Sequence, residues 1–551
     1  MDSIPRNGFP QLFSHFTIIY YVVTLLFVPF SNAIEQQPLG TSSYSETTPK
    51  RVAIIGAGAA GSSAAYNLRK YADALQVPVN ITVFERESYV GGRSTTVDVF
   101  DDPAYPVELG ASIFVDVNYN LVNASKELGL LASSASRARP MESEDTIGIW
   151  DGEQFVFVLQ DTYSWWNIGK LLWKYGLAPI RAQNLMKSTV NKFLQLYKEP
   201  VFPFKSLSDA AAAVGLLDVT ASHGDAFLEK NNVSPDFARD IIQASTRVNY
   251  GQNLALIHGL ESMVCLATDG AVAIHGGNWQ IFDAMLKSSR ANVKLNSTVN
   301  SIVRNKNGTS TITFKLNNLV EESLVFDEVV IAGPLQYSDI SISPSLDKTP
   351  DQIPYVKLHV TLFSSPYKLS PKYFGLEGQV AETVLTTLPK GMNLGPVEKG
   401  VGPSEFWSIS TLQAVKPPST FPGNHKKHYV YKIFSPKQPS ADFVAQILGI
   451  EKSEKEDYTK NSTIKDLPSH DISWYHEKIW HPYPYLYPRV TFEETSLAPN
   501  IWYTGGIESF ISTMETSALM GKNVAALMSR SWQTQGAEKD GVKGHENRAE
   551  L

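Results

Sequence analysis

Residues 51–61 read Arg51-Val-Ala-Ile-Ile-Gly-Ala-Gly-Ala-Ala-Gly61, and this stretch decides the fold. Arg51 to Ile55 is short, apolar and β-branched, the pattern of a strand buried on both faces. It runs through Gly56-Ala57-Gly58-Ala59-Ala60-Gly61 into a segment, residues 62–70, with small residues on the helix face that meets a sheet. The spacing suits Gly56 to the tight turn, Gly58 to the approach of backbone to a pyrophosphate, and Gly61 to close packing of helix on strand. The helix start offers unpaired N–H groups to phosphate. Asn80-Ile-Thr-Val-Phe-Glu85 reads as the next strand, its terminal Glu85 placed to accept from ribose hydroxyls. Strand, glycine turn, helix, strand and acid in this order predict a dinucleotide site that includes Ala59, Ala60 and Arg86.

Outward from this unit lie Gly91-Gly92-Arg93 and Glu108-Leu-Gly-Ala-Ser-Ile-Phe114. Together with the first strand they resemble the FAD-binding start of the glutathione-reductase-like flavoproteins, in the branch that contains amine oxidases. The resemblance implies that Gly92 turns the chain beside the flavin and that Arg93 faces the phosphates, a role suited to a permanently charged, forked donor. A second GxGxxG is absent from the sequence, which favours an oxidase over a reductase with a second nucleotide site.

Near the other end, Ile501 to Thr504 reads as a strand running into Gly505-Gly506-Ile-Glu508, with a helix starting near Ser512 or Thr513. In the amine-oxidase-like branch such a segment completes the FAD site. The resemblance puts Gly506 and Glu508 beside the phosphate and ribityl part, Met514 near the flavin and Val299 against the adenine.

Five further motifs narrow the resemblance: Arg247-Val-Asn-Tyr-Gly-Gln252, Thr383-Val-Leu-Thr-Thr387, Tyr431-Lys-Ile-Phe-Ser435, Trp480-His-Pro-Tyr-Pro-Tyr-Leu-Tyr-Pro488 and Thr513-Met-Glu-Thr-Ser-Ala518. They are similar to the prenylcysteine oxidase family, which includes the plant farnesylcysteine lyases. The similarity spans about residues 50 to 530. It implies non-covalent FAD and a thioether oxidase that takes S-farnesyl- or S-geranylgeranyl-cysteine, with oxygen and water, to cysteine, prenyl aldehyde and hydrogen peroxide. Thr504-Gly505-Gly506, Phe510-Ile511 and a longer polar C-terminus depart from the family pattern, so prenyl preference stays open. Arg247, Asn249 and Tyr250 are candidates to hold the zwitterionic end of the substrate, which needs charged or hydrogen-bonding partners once desolvated. A flavin amine or polyamine oxidase is the alternative of the same fold; a lipid-binding glycoprotein keeping FAD as structure is one of another class.

The remaining sequence sets boundaries. Lys plus Arg number 48 against 55 Asp plus Glu among 551 residues, a net charge of −7, so no global basic field draws nucleic acid. Cys265 is the single cysteine, which excludes an intrachain disulfide and a CxxC redox pair; redox chemistry therefore needs a cofactor. The eleven histidines show no metal spacing, and His476 and His481 read as packing residues. The apolar run Phe16 to Phe30 before Ser31-Asn32-Ala33 reads as a cleaved signal peptide, with an uncleaved anchor as the alternative. Six Asn-x-Ser/Thr sequons, at Asn80, Asn123, Asn232, Asn296, Asn307 and Asn461, then predict a glycoprotein of the secretory route, with lysosome or vacuole as the first destination and a membrane-associated or extracellular place as the alternatives. Residues 164–197 mix tryptophans with cations and read as ordinary substrate-domain helices that are candidates to line an isoprenoid slot, with a helix on a membrane surface as the alternative. Oligomeric state stays open.

The expected architecture is α/β: a Rossmann-type FAD-binding domain interwoven with an α+β substrate domain. Its segments are a signal peptide (1–33), a linker (34–49), the first FAD segment (50–120), a helix-rich substrate region (121–290), a middle FAD segment (291–335), a strand-rich substrate region (336–495), the closing FAD segment (496–533) and a disordered polar tail (534–551).

Overall fold

In the computed structural model β1 (Lys50–Ile55), α1 (Ala59–Ala74) and β2 (Val79–Phe84) follow one another as strand, helix and parallel strand. Residues 48–134, 146–160, 164–419, 421, 427–451 and 462–549 are described; the signal peptide, nearly all of the linker and Asn461 lie outside them. β1 sits inside a six-stranded sheet of order Ser496–Ala498, Ile501–Tyr503, Glu328–Ile331, β1, β2, Asn292–Lys294. All neighbours are parallel except the edge strand Ser496–Ala498.

A strand in that position is covered on both sides, which is why its sequence is an unbroken apolar run. Val52 and Ile54 pack with Ala64 and Leu68 of α1 and with Val524 and Met528 of the closing helix, Met514–Ala549. Ala53 points the other way, into a cluster with Phe84, Ile302 and Phe314. Ile302 and Phe314 belong to a four-stranded sheet of order Val320–Phe326, Ser310–Leu316, Ser297–Arg304, Ser341–Ser343.

Small residues let the closing helix lie directly on α1. A Cβ at Gly521 would fall 2.1 Å from the carbonyl oxygen of Ala60, and Ser63 Oγ donates to the carbonyl of Ala518 at 2.6 Å. The helix Trp279–Ser289 packs on α1 as well, with Phe282 and Met285 against Tyr66. It therefore belongs with the dinucleotide-binding half, which moves the expected boundary at 291 upstream.

The third sheet has seven strands, in the order Trp474–Trp480, Leu358–Ser365, His428–Ser435, Ser408–Val415, Thr383–Thr386, Thr146–Trp150, Phe155–Gln160. Thr146–Gln160 lies inside the stretch expected to be helix-rich. Its Ile147, Ile149, Phe155, Phe157 and Leu159 alternate with period two, the signature of a strand pair. After the helix Tyr119–Glu127 the helices resume only at Ser164.

The polar stretch 534–551 needs correction too, because the closing helix continues to Ala549. The segment carries no proline, and Ala, Glu, Lys and Arg extend a helix already started on the core.

Candidate functional site: a dinucleotide cradle and its closing clamp

β1 and β2 end side by side, and the glycine turn crosses between them. The N–H of Gly56, at φ +109°, donates to the carbonyl of Phe84 at 2.8 Å. A Cβ at Gly56 would stand 2.9 Å from the carbonyl oxygen of Ala332, and one at Gly61 only 1.9 Å from that of Gly56. Both glycines are thus required by the protein's own packing. Gly58 differs, because a Cβ there would meet nothing nearer than 3.9 Å. It opens α1 without a side-chain cap, and no acid sits in the first turn with Ala59, Ala60 and Gly61. An open, uncapped helix start of this kind suits an anion.

Glu85 is buried and ties the end of β2 to the turn. Its Oε2 accepts from the N–H of Ala57 at 2.8 Å and its Oε1 from that of Glu87 at 2.9 Å, leaving lone pairs for a ribose. Burial pushes its acidity upward in pKa, against these two N–H groups. Arg86 donates to the carbonyl of Tyr337 at 3.1 Å. Val299 is buried in the cluster with Phe84, two residues beyond Ser297, whose N–H donates to the carbonyl of Glu85 at 2.7 Å.

Gly91 and Gly92, at φ +116° and +60°, fold against the cradle: the N–H of Gly91 donates to the carbonyl of Ala57 at 3.0 Å. Three buried polar atoms near this turn and the loop after it have no protein partner, Ser94 Oγ, Glu108 Oε2 and Trp480 Nε1. The open face of Gly58 and these orphaned groups fit a large polar cofactor such as FAD.

Arg93 is held by a carboxylate. Its two terminal nitrogens bind Glu508 at 2.9 and 2.6 Å, and one also donates to the carbonyl of Pro482. Glu508 is buried and also accepts from Tyr355 Oη at 3.0 Å. A buried carboxylate without a cation is costly, so the arginine turns to it. Gly506 is likewise required by packing, since a Cβ there would lie 2.7 Å from Cβ of Glu493. Met514 opens the closing helix and packs in the cluster that holds Tyr66, Phe114 and Leu121.

The three substrate-side candidates do not form one site. They lie on the helix Gln243–Tyr250, where positions two apart face different ways. Asn249 is exposed and donates to the carbonyl of Ser245 at 2.9 Å. Arg247 is fully buried and spends all five donors on neutral acceptors: Nε on Thr386 Oγ1 at 3.0 Å, Nη1 on Asn253 Oδ1 and the Gly400 carbonyl, Nη2 on the Val401 carbonyl and Ser404 Oγ. Its guanidinium lies 4.7 Å from the ring centre of Trp407, and burial lowers its pKa to about 9. It pins helix to sheet and has no donor left for a substrate carboxylate. Only Tyr250 reaches the closing segment, donating to the carbonyl of Ser512 at 3.2 Å and packing edge-on to Tyr483.

Sequence reasoning missed four groups here. Glu261 is fully buried near Tyr250 with neither carboxyl oxygen hydrogen-bonded, and burial pushes its carboxyl up to about 8. Glu515, in the first turn of the closing helix, accepts from the N–H groups of Asn120 and Leu121 and from Tyr197 Oη, and burial pushes it up to about 7. Glu108 accepts from the N–H of Asn278 at 2.6 Å and is also pushed up to about 7 by burial. Lys432 donates to the Glu108 carbonyl at 3.1 Å and to Ser112 Oγ at 3.3 Å, tying the seven-stranded sheet to the loop after the cradle. Glu108, Lys432 and Glu515 lie inside recognised motifs; Glu261 carried no signal.

Cys265 is buried, and burial raises its thiol far above the usual range. His476 stacks on Trp474 and His481 on Tyr337. Among the described residues no group of three His, Cys, Asp or Glu is placed to hold a metal.

Residues 158–541 match the family model described as prenylcysteine lyase, and residues 54–126 that of an NAD(P)-binding Rossmann-like domain. The farnesylcysteine lyase of Arabidopsis thaliana is 29% identical over 512 residues, 90% of this chain and 91% of that protein. Prenylcysteine oxidase 1 of Homo sapiens is 28% identical, covering 90% and 92%. Among solved structures, putrescine oxidase with bound putrescine superposes with a TM-score of 0.52 at 16% identity, over 87% of this chain and 99% of that one. A fatty acid isomerase from P. acnes gives 0.52 at 13% identity, over 87% and 98%. At those identities the structures share the fold.

Proposed function

The chain belongs to the prenylcysteine lyase family, and from that premise we propose that it is an FAD-dependent thioether oxidase. It takes S-prenyl-L-cysteine, oxygen and water to free cysteine, prenyl aldehyde and hydrogen peroxide. The observation that carries this reading is the family match through residues 158–541, which lie beyond the stretch 54–126 that matches the general Rossmann-like domain. The structural likeness to putrescine oxidase extends to the fold and favours no amine substrate.

The substrate carbon to be oxidised lies between sulfur and a double bond, and both stabilise positive charge on it. Non-covalent FAD supplies, when bound, the two-electron acceptor that no side chain provides. That carbon gives up a hydride, water adds to it with loss of a proton, and the C–S bond breaks with a proton returned to sulfur, so the water oxygen remains on the aldehyde. The chain's own share is placement. Gly58 and the open start of α1 receive the pyrophosphate, Glu85 the ribose, and the Arg93–Glu508 pair holds the closing segment against the cradle. A fifteen-carbon prenyl group at about 0.8 kcal/mol per buried methylene offers on the order of 10 kcal/mol gross, much of it offset by the cost of association.

The enzyme travels the secretory route to a lysosome or vacuole and carries N-glycans. In support, Asn80, Asn123, Asn232, Asn296 and Asn307 are all exposed. A native preparation that shows no mobility shift on endoglycosidase treatment would sink this assignment.

The test of the chemistry is anaerobic mixing. S-farnesyl-L-cysteine should bleach the bound flavin, and spermine or tyramine should not. Bleaching by spermine at a comparable rate would move the protein to the amine oxidases.

A further inference from the structure

We infer that the corner between the helices Ser164–Tyr175 and Ala178–Phe193 docks on an anionic lipid surface. Trp173 is 90% exposed, Leu177 59% and Ile180 45%, and Ile168 one turn earlier is 48% exposed. The opposite side of the same corner, Tyr175, Ala178, Ala182 and Met186, is buried in the core. The exposed set is therefore not a frayed end but the outer face of an anchored hairpin. Large apolar side chains held outward on a fixed corner are the arrangement that inserts into a headgroup layer.

Charge selects the occupant. From residue 162 to residue 198 the chain carries Lys170, Lys174, Arg181, Lys187, Lys192 and Lys198 and no acid, within a protein of net charge −7. Lys174 is partly offset by buried Asp240 at 3.1 Å, and Arg181 donates to the carbonyl of Asn232; both are fixed at the rim of the apolar corner. A shallow groove along the second helix, lined by Asn184, Lys187, Ser188, Asn191 and Lys192, continues the cationic face with donors that suit lipid phosphates. Pairing with a second copy through this face would bring like charges together, which opposes a symmetric dimer here. Among the described residues no helix is long and apolar enough to cross a membrane, so contact at this corner is peripheral. The inference rests on this surface and not on the thioether chemistry, so either can fail alone.

The test is co-sedimentation of the holoenzyme with phosphatidylcholine vesicles, with and without phosphatidylserine. Wild type should bind the phosphatidylserine vesicles and be released by salt. Trp173→Glu with Leu177→Glu should lower partitioning by about tenfold or more. Lys170→Gln with Lys187→Gln should remove most of the preference for phosphatidylserine. All four positions are outside the cofactor site, so flavin content and the melting temperature should stay at the wild-type level. Equal vesicle binding by wild type and the apolar double variant would overturn the inference. So would a wild-type dimer in solution that the same variant converts to monomer, since the corner would then serve a second copy. Absence of thioether turnover with this pattern of vesicle binding intact would sink the reaction and leave the surface standing.

Discussion

Arg93 and Glu508, 415 positions apart, meet through two hydrogen bonds of 2.9 and 2.6 Å and so close the dinucleotide-binding half on itself. The arginine follows the Gly91-Gly92 turn that lies on the cradle, and the glutamate sits in the turn that leads into the closing helix. Removing the arginine leaves a buried carboxylate with Tyr355 as its remaining side-chain donor.

Arg93→Ala should therefore cost about 2–3 kcal/mol, below the usual figure for a fully buried pair because the Arg93 side chain is 37% exposed. Glu508→Gln should cost less, since no stranded negative charge remains. Thermal unfolding of both variants checks the order. An Arg93→Ala protein as stable as wild type would show that the pair does not clamp the segment.

Gly58 and Gly61 should separate binding from folding. Gly58→Ala adds a methyl into open space, so the apoprotein should unfold within about 0.5 kcal/mol of wild type while losing flavin. Gly61→Ala drives a methyl into the carbonyl of Gly56 and should destabilise the apoprotein itself. Flavin content and apoprotein melting, measured on both, distinguish them. A Gly58→Ala protein with full flavin would contradict the reading of the cradle.

Stability should fall between pH 6.5 and 8. Burial raises Glu108 and Glu515 to about 7 and Glu261 to about 8, so the folded state holds protons that the unfolded chain has already released. The stabilisation is complete below the ordinary carboxyl pKa and is lost as pH rises through the folded values. His258, lowered to about 4, acts the other way only below its ordinary value of 6.5. Glu261 alone should contribute roughly 2 kcal/mol of decline across this window, and Glu261→Gln should flatten it. Melting temperatures rising from pH 6.5 to 8 would refute the assignment.

The strand, glycine turn and second strand were legible because their pattern is local. The apolar run, the glycine spacing and the terminal acid all stand within residues 51 to 85. Arg247 was not legible. It stands in a family motif, and its charge suggested a carboxylate partner. Yet its acceptors come from Asn253, Thr386, Gly400, Val401 and Ser404, which only the fold brings together. The Arg93–Glu508 pair was half legible: both residues were singled out for the same cofactor, and their contact across the chain carried no signal. Glu261 was invisible, because a buried carboxyl held neutral looks in sequence like any surface glutamate.

Arg247→Lys should reveal the structural role. A lysine cannot replace five donors in a fixed fork, so unfolding should become easier by roughly 3 kcal/mol, while the KM of the folded enzyme for prenylcysteine stays unchanged. A stable variant with a raised KM would return Arg247 to the substrate.

Oxidation at the carbon bonded to sulfur is read from the products of S-farnesyl-L-cysteine under oxygen. Farnesal, free cysteine and hydrogen peroxide should form in equal amounts, and deuterium on that carbon should slow turnover and be retained at one of its two positions. Farnesol released without peroxide would mean hydrolysis and would contradict the account.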